Sequence, residues 1–374
     1  MNTNNPAPLL EHFSIIVDPR IDRNKEHQLI DIIAITICAV ICNADNWVDI
    51  ADFGEAKKEW LKTFLALPNG IPSHDTFRRV FSLLDPDEFQ RGFLAWVKDV
   101  SQLTKGSVVA IDGKSVRRSH AKDVKPLHLI SAFAVANGLT IGQKKVDGKT
   151  NEITAMPELL KMLKLKGCIV TIDAMGTQGW IVKKIRASKA DYALTVKANQ
   201  KRLMQDIQKT MDKHNPHPVT DYCRTSEHGH GRDEIRECWI TADLSGVRDI
   251  DKWVDLKSVA RITHTRIING KTTTATRHYI TSLKPQAKKL LSAVRDHWAI
   301  ETTLHWTLDV VFGEDQSRTW TGHTQENFAL IRKLSAALLK QETTAKVGIA
   351  AKRKMAGWNE EYLLKVLGLK ASLI

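Results

Sequence analysis

The sequence predicts a mixed α/β sheet flanked by helices, preceded by a small helical domain and interrupted by an inserted β region. Three observations carry this. Two apolar runs of strand length end in aspartate, V-V-A-I-D at 108–112 and I-V-T-I-D at 169–173. Between them, β-rich stretches at 128–136 and 139–146 are separated by Asn137-Gly138, a hairpin signal. From 169 onward strand-like and helix-like stretches alternate, as a mixed sheet requires. A chain of 374 residues is long enough for two or three domains with buried cores.

Taken in order, residues 1–20 are polar and proline-containing, a loose lead-in. From Gln28 to Trp60 the apolar spacing is helical, and the turn cluster 67–72 follows. Ser73 then caps a helix through Phe77, Val80, Phe81 and Leu84, ending at Asp85-Pro86, and Trp96 closes another. After the 108–112 strand and the hairpin, helices are expected over 152–165, 180–189 and 200–213, with strands at 169–173 and 192–197. Threonine-rich alternation marks 215–283 as an inserted β region, with a turn at Asn269-Gly270. Helices over 284–312 and 324–341 follow, and the basic stretch 352–354 precedes a short terminal helix. The expected divisions are therefore a helical domain over 1–105, an α/β domain over 106–342, and a basic helical tail over 343–374.

Charge points to the partner. The chain carries a formal +13, but residues 1–106 hold 11 basic and 15 acidic side chains, a net of −4, and residues 107–374 hold 44 and 27, a net of +17. A polyanion is expected mainly on the second part. The apolar run 29–42 is too short for a membrane span and too far along for a signal peptide, so it reads as a buried helix. Five cysteines with no C-x-x-C support neither a disulfide framework nor a zinc ribbon, and a reducing cytoplasm fits them. There is no P-loop, hence no implied ATPase. Four tyrosines and no H-x-x-R disfavour a tyrosine recombinase.

The acids supply the chemistry. If the two D-ended strands are neighbours, Asp112 and Asp173 sit side by side at the sheet edge. An acid after four buried apolar residues is costly unless paired, hydrogen-bonded or bound to metal. A helix cap or turn explains many single cases, but two matching ones favour a site. On the 284–312 helix, at 100° per residue, Val294, Trp298, Glu301, His305, Leu308 and Phe312 share one face, so Glu301 and His305 point inward. A Glu–His pair one turn apart is the plainer reading of those two. Three carboxylates from two strands and one helix are also what two Mg²⁺ (or Mn²⁺) ions need to clamp an in-line phosphoryl displacement. Phosphate contacts would come from Lys114, Arg117 and Arg118 beside Asp112, and from Lys197 and Lys201 around the Asn199-Gln200 turn. Each is otherwise an ordinary surface charge. His228-Gly-His230-Gly-Arg232 has too few spaced ligands for a metal site and reads as a turn placing Arg232 and Arg236 near DNA. The ten tryptophans default to core packing, although Trp298 or Trp306 could stack on an unpaired base.

Several segments together resemble the DDE transposases of bacterial insertion sequences, in the H-repeat-associated branch. They are I-D-G-K-S at 111–115, T-I-D-A-M-G-T-Q at 171–178, K-A-N-Q at 197–200, H-W-A-I-E at 297–301, and the L-H-W-x-L-D-V-x-F-x-E-D run at 304–315. N-G-I-P-S-H-D-T-F at 69–77 resembles that branch's N-terminal domain. The resemblance implies a ribonuclease-H-like core with Asp112, Asp173 and Glu301 as catalytic metal ligands, Asp112 bridging two ions. It implies double-stranded DNA as partner, both element ends and target, and a homodimer or larger assembly on DNA. The Tyr-Arg-Glu-Lys signature of many relatives is reduced here to Glu301, with Val294, His297 and Leu308 at the other positions. The alternatives are a ribonuclease-H-like nuclease or junction resolvase without strand transfer, and a catalytically inactive DNA-binding remnant.

Overall fold

A computed structural model describes residues 9–101, 103–117, 126–146, 152–212, 219–229, 231–318 and 321–369. The N-terminal helices are α1 (Leu29–Ile41), α2 (Trp47–Ala56), α3 (Lys58–Leu61), α4 (His74–Leu83) and α5 (Pro86–Val100). Asn46, Ser73 and Asp85 cap α2, α4 and α5 by accepting backbone N–H groups of the first turn. The 29–42 run becomes α1, buried on every side, and its Asp31 accepts the Leu67 N–H at 3.0 Å. No helix among the described residues is long and apolar enough to cross a membrane.

The sheet begins with β1 (Val108–Ser115), β2 (His128–Ala134) and β3 (Leu139–Val146), with Gly138 in the left-handed region at the hairpin turn. Then come α6 (Glu152–Met162), β4 (Ile169–Ile172), α7 (Gly179–Ala187), β5 (Asp191–Val196) and α8 (Lys201–Thr210). The region expected as a β insertion forms β6 (Asp221–Gly229), β7 (Arg232–Thr241), β8 (Ser258–Ile268) and β9 (Lys271–Thr281). It is not a separate layer. Antiparallel pairing of β9 with β5 joins it to the core, in one nine-stranded sheet of order β3-β2-β1-β4-β5-β9-β8-β7-β6. The β1–β4 and β4–β5 pairs are parallel and the others antiparallel.

Strand alternation explains the apolar runs. Val109, Ile111, Val170 and Ile172 enter the core that also holds the N-terminal helices, whereas Val108 and Ile169 face the opposite side. That side is covered by α9 (Ala287–Ala299), whose Leu290, Leu291 and Val294 pack on it. Sequence periodicity predicts an α-helix through 312, but the winding changes to π over Ile300–His305 and Thr307–Val311. The face that should be apolar also opens, leaving Trp298 and Glu301 exposed.

The chain then returns to its start. Helix α10 (Thr324–Gln341) lies against α1, and α11 (Ile349–Trp358) and α12 (Glu360–Leu367) complete the helical body. The basic stretch 352–354 is only partly at the surface: Lys352 is buried and Arg353 is 0% exposed. Arg353 donates to the Val40 and Val311 carbonyls and to Asp45, with its guanidinium 4.2 Å from the Phe312 ring centre. It ties α11 to α1 and to the end of the π segment. Arg353→Met keeps most of the volume but strands two buried carbonyls, so it should lower stability by about 3 kcal/mol in urea unfolding. A loss below about 1 kcal/mol would show that water or a neighbour satisfies them.

Candidate active site

Two features bring the acids together. The parallel register Ile111↔Ile172 places Asp112 and Asp173 one step beyond the last pair of β1 and β4. Alternation then turns both toward the α9 side, the side faced by Val108, Ala110 and Ile169. Thr171, on the same face, shares a 3.0 Å hydrogen bond with His297 Nδ1. The π segment brings Ile300, Leu304 and Leu308 onto Ala110 and Phe133, which seats Glu301 and His305 over the end of β1.

Asp112, Glu301 and His305 each offer a ligand atom, all within 4.8 Å of one another. His305 Nδ1 lies 3.4 Å from Glu301 and 3.8 Å from Asp112, and its buried Nε2 has no hydrogen-bond partner among the described residues. Burial, and then the Glu301 carboxyl against it, push Asp112 up to about 8, while His305 holds Glu301 below the usual range. Two carboxyls in such contact keep a proton between them unless a cation replaces it. This donor set of two carboxylates and one imidazole fits a divalent ion.

Asp173 stands across the same pocket, whose walls also include His297, Trp298, Lys197 and Arg277 in a cavity of about 110 Å³. It is engaged differently. Burial works to raise its pKa, but the Ala174 N–H and Lys197, 3.0 Å away, more than offset this and hold it low. Burial, against the pull of Asp173 and Glu301, lowers His297 and favours its neutral form.

The other residues singled out from sequence fall in several places. Lys114 is paired with acids and only slightly exposed. Its Nζ is 2.5 Å from both Asp309 and Glu314, and those acids outweigh burial and raise its pKa. Arg117 is exposed and lies 3.4 Å from Asp315, while Arg118 lies outside the described residues. Asn199 donates to the Ala174 carbonyl and Gln200 to that of Thr177, so this turn braces the loop after Asp173. Lys201 is exposed at the start of α8. Arg232 sits in the β6–β9 region, bonded to Glu234. Trp298 carries Arg277 4.8 Å from its ring centre, so it is not core packing, and neither are the exposed Trp180, Trp306 and Trp358. Sequence reading missed Arg277, a wall of the pocket buried among threonines at 272–276 that signal only a strand.

A model of the transposase DDE domain matches residues 103–339, and one described as DDE_Tnp_1-associated matches residues 10–97. The chain is 40% identical over 369 residues to the H repeat-associated putative transposase YhhI of Escherichia coli K12, covering 96% of this chain and 97% of that one. It is 38% identical over 372 residues to the putative transposase YncI of Escherichia coli O157:H7, covering 96% and 94%. A cryo-EM structure of a piggyBac transposase synaptic complex with hairpin DNA superposes with TM-score 0.45 at 10% identity, covering 97% of this chain and 82% of that one, too loose a match to define the fold.

An acid whose pKa is raised by folding keeps its proton longer in the folded chain than in the unfolded one. Its stabilising contribution is full below the ordinary carboxylate range and is lost as pH rises toward about 8, the Asp112 value. Asp112→Asn removes that loss. In EDTA at pH 8.5 the variant should be about 1 kcal/mol more stable than wild type, a figure kept small because Glu301 is half exposed and screened. The gap should close toward pH 5. Identical urea midpoints across that range would sink the shared-proton description.

Proposed function

The chain belongs to the transposase DDE family, and from that premise we propose that it cuts a phosphodiester at the end of an insertion-sequence-like element and joins the freed 3′-OH to target DNA. The observation that carries this is the meeting of Asp112, Asp173 and Glu301, from two parallel strand ends and one helix, in a single pocket. We read the β3-β2-β1-β4-β5 part of the sheet as ribonuclease-H-like, supported by its antiparallel β1–β3 meander, its parallel β4 and β5, and acids at the ends of β1 and β4.

Asp112, Glu301 and His305 would hold one Mg²⁺ or Mn²⁺, and Asp173, with Asp112 shared, a second. Bound divalent ions would neutralise charge on the phosphate and acidify the attacking water or 3′-OH. The chain's own groups do the rest. Lys197 meets the Asp173 charge across 3.0 Å and would be free to turn to a phosphate if a cation were held there. Neutral His297, fixed by Thr171, shapes the pocket floor without adding charge. Arg277 and Trp298 give a cationic and a flat apolar wall, suited to a strand that enters with its bases unpaired. The protein would work in the cytoplasm on nucleoid DNA, as a homodimer or larger assembly that holds both element ends.

The test supplies the purified protein and Mg²⁺ with DNA carrying the element's terminal repeats, either intact or pre-cleaved to expose the 3′-OH. Cleavage of the first and joining of the second are expected. Cleavage without joining would indicate a nuclease or resolvase, and binding alone an inactive remnant. Asp112→Asn, Asp173→Asn and Glu301→Gln should each cut cleavage by at least about a thousandfold, ~4 kcal/mol of transition-state stabilisation, while DNA affinity holds or rises. A near-wild-type rate in any of the three removes that residue from the site.

A further inference from the structure

We infer that the α9-facing surface of β6–β8 holds a phosphate cradle that the DNA-free protein keeps filled with its own glutamates. The inference rests on the chain's being a DNA-handling protein and adds how its DNA site is regulated. On β7, period-two alternation points Arg232, Glu234 and Arg236 to one side, and the register sets Arg266 of β8 beside Glu234 and His264 beside Arg236. Arg295 reaches across from α9. These groups line an open cavity of about 370 Å³ that shares Arg277 and Trp298 with the acid pocket, so a strand leaving that pocket meets it next.

The acids in this cradle are placed as no ordinary sheet would place them. Glu227 and Glu234 are directly opposed across β6 and β7, a like-charge pair that by itself destabilises pairing. Arginines and a histidine surround it. Glu234 accepts from Arg232 at 2.6 Å and also from Arg236, with His264 at 3.5 Å and Arg266 at 3.6 Å. Glu227 lies 2.5 Å from one Arg295 nitrogen and 3.2 Å from Arg236. Arg232, Arg236, Arg266 and Arg295 thus outnumber two carboxylates. His264 Nε2 is buried and faces Glu234 as well. A carboxylate surrounded by several guanidinium groups presents the charge and acceptor geometry of a phosphodiester oxygen pair. It keeps mutually repelling arginines arrayed, and a DNA phosphate would take its place.

Duplex affinity measured by fluorescence anisotropy in EDTA, where no cleavage occurs, separates this from a purely structural network. Glu234→Gln keeps the shape but removes the competing charge. It should bind a random duplex about tenfold more tightly at 100 mM salt, with a log–log salt slope steeper by about 0.9. Arg266→Gln should weaken binding and flatten the slope by a similar step. Glu227→Gln, on the neighbouring strand, should shift affinity in the same direction as Glu234→Gln, which guards against a folding defect in one variant. Unchanged or weaker binding by both Glu234→Gln and Glu227→Gln overturns the cradle. Inorganic pyrophosphate that binds as tightly as duplex would also overturn it, by marking a small-anion site. If wild type fails to bind duplex at all, the proposed function falls instead.

Discussion

The salt-bridge junction at Lys114 is the constraint on which the geometry of the pocket depends. Lys114 stands two residues after Asp112 on β1, and its ammonium joins Asp309 on the π segment to Glu314 just beyond it. Glu314 is almost wholly buried; burial opposes its charge, but Lys114, Lys333 and Arg332 hold it ionised. Lys333 in turn donates to Ser131 of β2 and Gln143 of β3. One chain of charges therefore fastens the strand bearing Asp112, the helix bearing Glu301 and the hairpin beside them. Breaking one member would leave a buried ion without its partner, the costly way to lose an ion pair. The junction fixes the distance at which two carboxyls are made to share a site against their own repulsion.

Much of this was legible before any coordinates. An apolar run ending in aspartate, met twice, is a pattern that both strand propensity and the cost of burying charge make readable, and Asp112 and Asp173 followed from it. Glu301 was legible through helical spacing, although that spacing assumed 100° per residue over a stretch that winds as π. The partners of Lys114 were not legible. Nothing in a linear chain says that acids some 200 positions later return to it, so a lysine beside a candidate catalytic acid reads as a phosphate ligand. The basic stretch near 353 misleads in the same way, because burial of a guanidinium depends on carbonyls that only the tertiary fold delivers. The β region reads as an insertion because its turns and threonines are local signals, whereas its union with β5 is a long-range pairing without a local mark.

These burials also revise how the +17 of the second part should be understood. Lys114, Arg332, Lys333, Lys352 and Arg353 belong to that count, yet all are buried or nearly so. Four of them are held by acids, carbonyls or polar side chains of the interior, and Arg332 lies over the Phe328 ring. Around the acid pocket and the cavity beside it, Lys197, Arg277, Arg232, Arg236, Arg266 and Arg295 carry positive charge. Net charge points to a polyanion as the class of partner.

The π winding after Ala299 has a consequence for how such a chain can vary. A π turn takes about one residue more than an α turn for a similar advance, so the stretch 300–311 contains slack. Its ends are moored, at one side by Ile300 in the sheet-facing cluster and at the other by Asp309 on Lys114. A related chain could lose one residue here, tighten to α geometry and still meet both moorings. The side chains between them would be dealt out afresh around the axis. Length differences of a single residue just after the glutamate would then be changes of pocket lining, with the scaffold left as it was.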